Sequence, residues 1–102
     1  MATDPDEGLE AHAGEVSTAL RLLANEKRLL ALCHLAGAGE MSVGALSEAV
    51  GLSQSALSQH LARLRADRLV TARRDGQVLH YRISDPRVEA LLSALRVIYC
   101  PK

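Results

Sequence analysis

The sequence predicts one mainly helical domain, α+β in class, with a single β-hairpin set before the last helix. Three observations predict it. The 102 residues, 48% hydrophobic and 24% charged, fit one compact domain and leave little room for a second. Apolar residues recur at helical spacing through the first two thirds of the chain and again at its end. Between Leu69 and Ile83 the period changes to strand-like runs rich in Val, Leu, Thr and Tyr, broken by Asp75-Gly76, a pair that favours hairpin turns.

Residues 1–8 form an acidic end expected to be disordered, and the folded domain is expected over residues 9–102. From there Leu9, Ala13, Val16, Leu20 and Leu23 make one narrow stripe, the kind of stripe that pairs with another helix. Asn25 can cap a second helix with Leu29, Leu32, Cys33 and Ala36 on its apolar face, and Gly37-Ala38-Gly39 stops it. Ser42 can cap a short third helix through Val50. Gly51 then interrupts, Ser53 offers a fresh cap, and a fourth helix runs to about Asp67 with Leu57, Leu61 and Leu64 inward. Strands are expected at Leu69–Arg73 and Gln77–Ile83. Asp85-Pro86 opens the last helix, because proline needs no amide partner at a first helical position, and Val88, Leu91, Leu92, Leu95 and Ile98 form its apolar face. The expected order is α1-α2-α3-α4-β1-β2-α5.

Charge and composition narrow the function. No apolar run is long enough for a membrane span, and the acidic start Met1-Ala-Thr-Asp-Pro-Asp-Glu is unlike the basic opening of a secretory leader. A cytoplasmic protein with no membrane partner is expected. The net charge is zero, yet it is unevenly spread. Residues 1–20 carry five acids and no base, whereas residues 53–82 hold six arginines (63, 65, 68, 73, 74 and 82) against Asp67 and Asp75. Local basic charge of this kind suits a polyanion. No nucleophile–base pair or carboxylate pair falls on a plausible common surface, so an enzyme is not expected. With neither Phe nor Trp to fill a core, so small a chain is a candidate for dimerisation.

The run from Ser42 to Arg68 is the most informative. Around the turn glycine Gly51, small Ser47 and apolar Leu46, Val50, Leu52 and Leu57 are what two short helices crossing steeply require. The glycine allows a left-handed backbone, the small residue allows close approach, and the apolar residues fill the wedge. Winding the fourth helix at about 3.6 residues per turn, with its leucines inside, leaves Ser55, Ser58, Gln59, Ala62 and Arg63 outside and Gln54 and His60 on the flanks. Short polar and basic side chains can enter a major groove, where Gln and Arg read base edges and Ser reaches bases or phosphates. The hairpin tip Arg73-Arg74-Asp75-Gly76-Gln77 sets guanidinium groups beside a turn, as a wing that touches phosphates or a minor groove would. A helix-turn-helix of this form could also serve protein association alone, with its arginines as a solvated face.

The segment Leu52-Ser-Gln-Ser-Ala-Leu-Ser-Gln-His-Leu-Ala-Arg-Leu-Arg65, followed by Leu69-Val70, Arg73-Arg74-Asp75-Gly76 and His80-Tyr81, resembles the ArsR/SmtB family of bacterial winged helix-turn-helix repressors, from about Leu20 to Cys100. The resemblance implies a homodimer paired through helices 1 and 5 and bound to double-stranded operator DNA. The stripes on those two helices fit such an interface.

Members of that family sense different effectors. One metal site uses Cys-x-Cys on the third helix, where this chain has Ser42-Val43-Gly44. Another needs an Asp-x-His opening on the last helix and a later His-x-x-Glu. Asp85 remains, but Arg87 replaces the histidine and no His or Glu follows in Val97 to Lys102. No metal site and no cofactor are therefore expected, although relatives responding to metal or haem, or antagonising a silencing nucleoid protein, remain alternatives. Cys33 and Cys100 resemble in position the paired thiols of the SqrR/BigR/HlyU-type subgroup. There, reactive sulfur species, mainly persulfides and polysulfides, join two cysteines through a disulfide or longer sulfur bridge and weaken operator binding. Read from the residues alone, Cys33 shares a face with Leu29 and Leu32 and reads first as a small core hydrophobe; the family position is what favours the switch. Cys100 lies two residues from the chain end, where burial is rarely demanded.

Overall fold

The protein is described here by a computed structural model covering residues 7–100. Its elements are α1 (Glu7–Leu23), α2 (Glu26–Ala38), β1 (Met41–Ser42), α3 (Val43–Val50), α4 (Gln54–Ala66), β2 (Val70–Asp75), β3 (Val78–Ile83) and α5 (Pro86–Tyr99). Five helices surround a three-stranded antiparallel sheet of order β1-β3-β2. Among the described residues no helix is long and apolar enough to cross a membrane.

The helix starts are those the caps dictate. Asn25 Oδ1 accepts the Arg28 amide at 3.0 Å, Ser42 Oγ that of Ala45 at 3.1 Å, Ser53 Oγ that of Ala56 at 3.1 Å and Asp85 Oδ1 that of Arg87 at 2.9 Å. Each such cap contributes about 1 kcal/mol. At Gly51 the backbone turns left-handed, φ 72°, and the amides of Gly51 and Leu52 both donate to Ser47 O at 3.0 Å. The α3–α4 turn thereby satisfies the carbonyl left open at the end of α3.

The core is centred on α2. Leu32 and Leu35 of α2, Leu46 of α3, Leu57, Leu61 and Leu64 of α4 and Val70 of β2 are fully buried. Tyr81 and Ile83 of β3 and Val88 and Leu92 of α5 close the same cluster. Helix α2 touches α1, α3, β3 and α5, and α4 packs in turn on α3 and β2, so α3 is placed directly by the central helix and α4 through its neighbours.

Four expectations need correction. An extra strand, β1, precedes α3 and pairs with β3 through Met41–Tyr81 and Ser42–His80; two residues carry no readable period. The hairpin strands lie at Val70–Asp75 and Val78–Ile83, extending β2 to the turn itself. Helix α1 begins at Glu7, inside the segment expected to be disordered, and residues 1–6 lie outside the described residues. Finally, the inward faces shift. On α1, Leu22, outside the expected stripe, is buried beside Leu23, while Leu9 and Leu20 of the stripe expected to pair with another helix are exposed. On α2, Ala31, Leu32 and Leu35 are buried while Leu29, Cys33 and Ala36 sit at the edge.

Candidate nucleic-acid interface and thiol positions

With Leu57, Leu61 and Leu64 fully buried, α4 must turn its other side to solvent. Gln54, Ser55, Ser58, Gln59, Ala62 and Arg63 are all exposed. The outer face expected from the helical period is therefore present, on a helix whose rotation is fixed by its buried stripe. Gln54 leans back over α3, where a Cβ added at Gly44 would meet its Nε2 at 3.5 Å. His60 is half-buried on the flank, with Nδ1 3.5 Å from Arg28 Nη1.

Two functional positions were missed in the sequence. Lys27 Nζ donates to Val50 O at 2.7 Å, and Arg28 Nε donates to Leu22 O at 2.7 Å. The first holds the end of α3 beside its turn, and the second ties the end of α1 to the start of α2 while the same guanidinium reaches toward His60 on α4. A signal was available, because cations in the first turn of a helix oppose its dipole and so ask for another partner.

The wing divides its two arginines. Arg74 is exposed and makes no ion pair among the described residues, and the exposed tip residues Gly76 (φ 65°) and Gln77 carry no charge. Arg73 instead grips Glu40 with two hydrogen bonds, Nε to Oε2 at 3.0 Å and Nη2 to Oε1 at 2.9 Å. The Arg73 hydrogen bonds hold the Glu40 carboxyl below the usual carboxylate range, and Glu40 in turn raises the Arg73 pKa.

The two thiols are free. Cys33 is half-buried against the edge of the core, and Cys100 is exposed at the C-terminal end of α5, its amide donating to Arg96 O at 2.8 Å. Their helices, α2 and α5, touch each other. Among the described residues no three His, Cys, Asp or Glu side chains gather in a metal-binding group. Ser42 is committed to capping α3, and Asp85 to capping α5 and to Arg87, whose hydrogen bonds hold its carboxyl below the ordinary range. Arg87 also reaches Glu15 of α1 at 2.8 Å. These three charged residues help line a half-open cavity of about 340 Å³ between α1, the end of α4 and α5.

Comparison with known proteins places this geometry. Residues 25–72 match the bacterial regulatory protein, arsR family. The transcriptional activator HlyU of Vibrio cholerae is 45% identical over 92 residues, 90% of this chain and 84% of its own. The structure of reduced HlyU superposes with a TM-score of 0.84 over 92% of this chain and 98% of that one, at 44% identity. The transcriptional repressor BigR of Xylella fastidiosa gives a TM-score of 0.89 at 35% identity, covering 97% of this chain and 100% of that chain. A homodimeric winged helix-turn-helix DNA-binding domain from Mycobacterium bovis gives 0.77 at 35% identity, covering 96% and 89%. With an exposed polar face on α4, a hairpin beside it and relatives that are regulators rather than enzymes, the chain belongs to the ArsR family of bacterial winged helix-turn-helix transcriptional regulators.

Proposed function

We propose that the protein is a homodimeric, operator-binding repressor, acting in the bacterial cytoplasm where its DNA lies, whose affinity is lowered when reactive sulfur species link Cys33 to Cys100. The observation that carries the switch is the placement of the thiols: one exposed at the end of α5, one half-buried on α2, on two helices in contact. A polysulfide supplies the oxidant. One thiolate attacks a sulfane sulfur and becomes a persulfide, the shortened polysulfide leaving with the electron pair. The second thiolate then displaces hydrosulfide to give a disulfide, or attacks a longer bound chain to give a longer bridge. Tying α2 to α5 changes the element on which α3 packs, and α4 packs on α3, so the spacing of the two recognition helices in the dimer changes with it. The relatives include a protein named an activator and one named a repressor; repression is the reading taken from the family resemblance.

In the DNA complex, Ser55, Ser58, Gln59 and Arg63 read bases, Gln54 and His60 flank them, and Arg74, with Gln77, meets the backbone from the wing. The pairing of protomers through α1 and α5 is supported by the exposed Leu9, Leu20, Val97 and Ile98. The test is operator binding by reduced protein, and after polysulfide, peroxide, zinc or cadmium, with mass spectrometry of the same samples. Cys33→Ser and Cys100→Ser should bind operator normally when reduced and ignore polysulfide. Full polysulfide-induced release by Cys100→Ser overturns the switch, and tight stoichiometric zinc or cadmium binding that releases DNA makes a metal the effector. Gln59→Ala should cost about 1 to 3 kcal/mol at one base position, whereas Arg74→Ala should weaken all sequences alike.

A further inference from the structure

The wing carries adjacent arginines in unlike states. Arg74 stands in the two-stranded tip, paired across the hairpin with Leu79, and Arg73 stands one row nearer the root, paired with His80, which in turn pairs with Ser42 of β1. Glu40 directly precedes β1, at the point where Gly39 (φ 86°) ends α2. Its carboxylate meets Arg73 from across the sheet, so the contact spans all three strands. The geometry is the two-pronged fork that a guanidinium makes with a carboxylate or with a phosphate. Both side chains remain open to solvent, Arg73 at 56% and Glu40 at 32% exposure, so exchange of one anion for the other needs side-chain rotation only.

Resting on the reading of the wing as a DNA-binding element, we propose that Glu40 is an affinity-setting residue: an internal competitor that occupies Arg73 as a DNA phosphate would, leaving Arg74 as the wing's ready phosphate contact. A glutamate is ionised at neutral pH with or without a partner, and Arg73 lowers the Glu40 pKa further, so the competition persists through the physiological range. Phosphate gains at Arg73 must be offset against loss of this pair, and the wing's net grip is correspondingly lighter than its two arginines suggest.

Operator dissociation constants measured across a salt series test this with Glu40→Gln, Arg73→Ala, the double variant and Arg74→Ala. Glu48→Gln, which removes an exposed carboxylate of α3, reports the general effect of one less negative charge. Glutamine preserves the shape of Glu40 and a single acceptor, and thermal melts confirm that each variant is folded. Glu40→Gln should bind several-fold more tightly at low salt than Glu48→Gln. Its logarithmic salt slope should steepen by about 0.9, the release expected for one more phosphate contact, and both gains should vanish in the double variant. A Glu40→Gln protein that binds no better than Glu48→Gln, binds more weakly than wild type, or keeps its gain without Arg73 overturns the competition and leaves Glu40 as a tether of the wing. Failure of the DNA-binding reading looks different: the wild-type protein itself then shows no salt-dependent operator binding and no loss on Arg74→Ala.

Discussion

In α4 the leucines Leu57, Leu61 and Leu64 have no exposed surface at all, whereas at the far ends of α1 and α5 Leu9, Val97 and Ile98 stand 56%, 71% and 64% exposed. The same kinds of side chain thus meet opposite fates within one small domain. The helix-turn-helix is finished by its own chain, packed on α2 and locked at the turn by Lys27 and Gly51. The ends of the terminal helices keep apolar side chains in solvent, and the proposed pairing of protomers would cover them. On the proposed reading, the contrast separates the part of the molecule that specifies shape from the part that would specify association, and it teaches that the outer face of α4 is set by packing within a protomer while its spacing from a second copy would be set elsewhere.

Three changes would break or sharpen that contrast. The largest effect is expected from Leu61→Ala, which opens a cavity in the finished part and should cost about 2 to 5 kcal/mol, read from the denaturant midpoint. A small loss there would mean that α4 is held from outside. Next, Ile98→Asp should leave the circular dichroism of the protomer intact yet dissociate the dimer in sedimentation equilibrium, since burying one isoleucine stabilises by about 1.5 to 3 kcal/mol and the symmetry counts it twice. A variant that stays dimeric would remove α5 from the association surface. The smallest effect concerns Asp85, which caps α5 and pairs with Arg87. Arg87 lowers its pKa from the ordinary 3.8, and a group depressed in the folded state contributes stability that is present above its unfolded pKa and lost as pH falls through the folded one. Melting temperature should therefore drop as acid moves below the ordinary carboxylate range, and Asp85→Asn, which keeps a good cap, should blunt that drop. An unchanged acid profile would show that the Arg87 contact contributes nothing to folding.

Most of the helical frame was legible because its determinants are local. Asn25, Ser42, Ser53 and Asp85 cap the helices that follow them, and Gly39, Gly51 and Gly76 take the left-handed conformations that ends and turns demand. The outer face of α4 was legible for the same reason, since three buried leucines at helical spacing fix its rotation. What escaped was non-local. β1 exists only because β3 lies beside it, about forty residues on along the chain from Met41 to Tyr81. Glu40 and Arg73 are 33 residues apart, and Lys27 and Val50 are 23. Arg68 escaped differently. It takes φ 64°, a conformation usually left to glycine, and the amide of Leu69 donates to Leu64 O at 3.0 Å while Ser84 Oγ donates to Arg68 O at 2.9 Å. Tertiary contacts there override a residue preference that the sequence displays honestly.

Ser42 belongs to two structures at once: its side chain caps α3, and its backbone position pairs with His80 of the wing. The hairpin rows on the core side of His80 are thereby anchored to the start of the helix-turn-helix, and the two rows beyond it, Arg74–Leu79 and Asp75–Val78, are not. In amide hydrogen exchange the anchored rows should open only with the domain, and the tip should open by itself. The same boundary marks where chain length is free to vary. Residues inserted at Gly76 would lengthen an arm without disturbing its hinge, so on the proposed reading the wing's reach toward DNA can be retuned in this scaffold while α4 stays where it is.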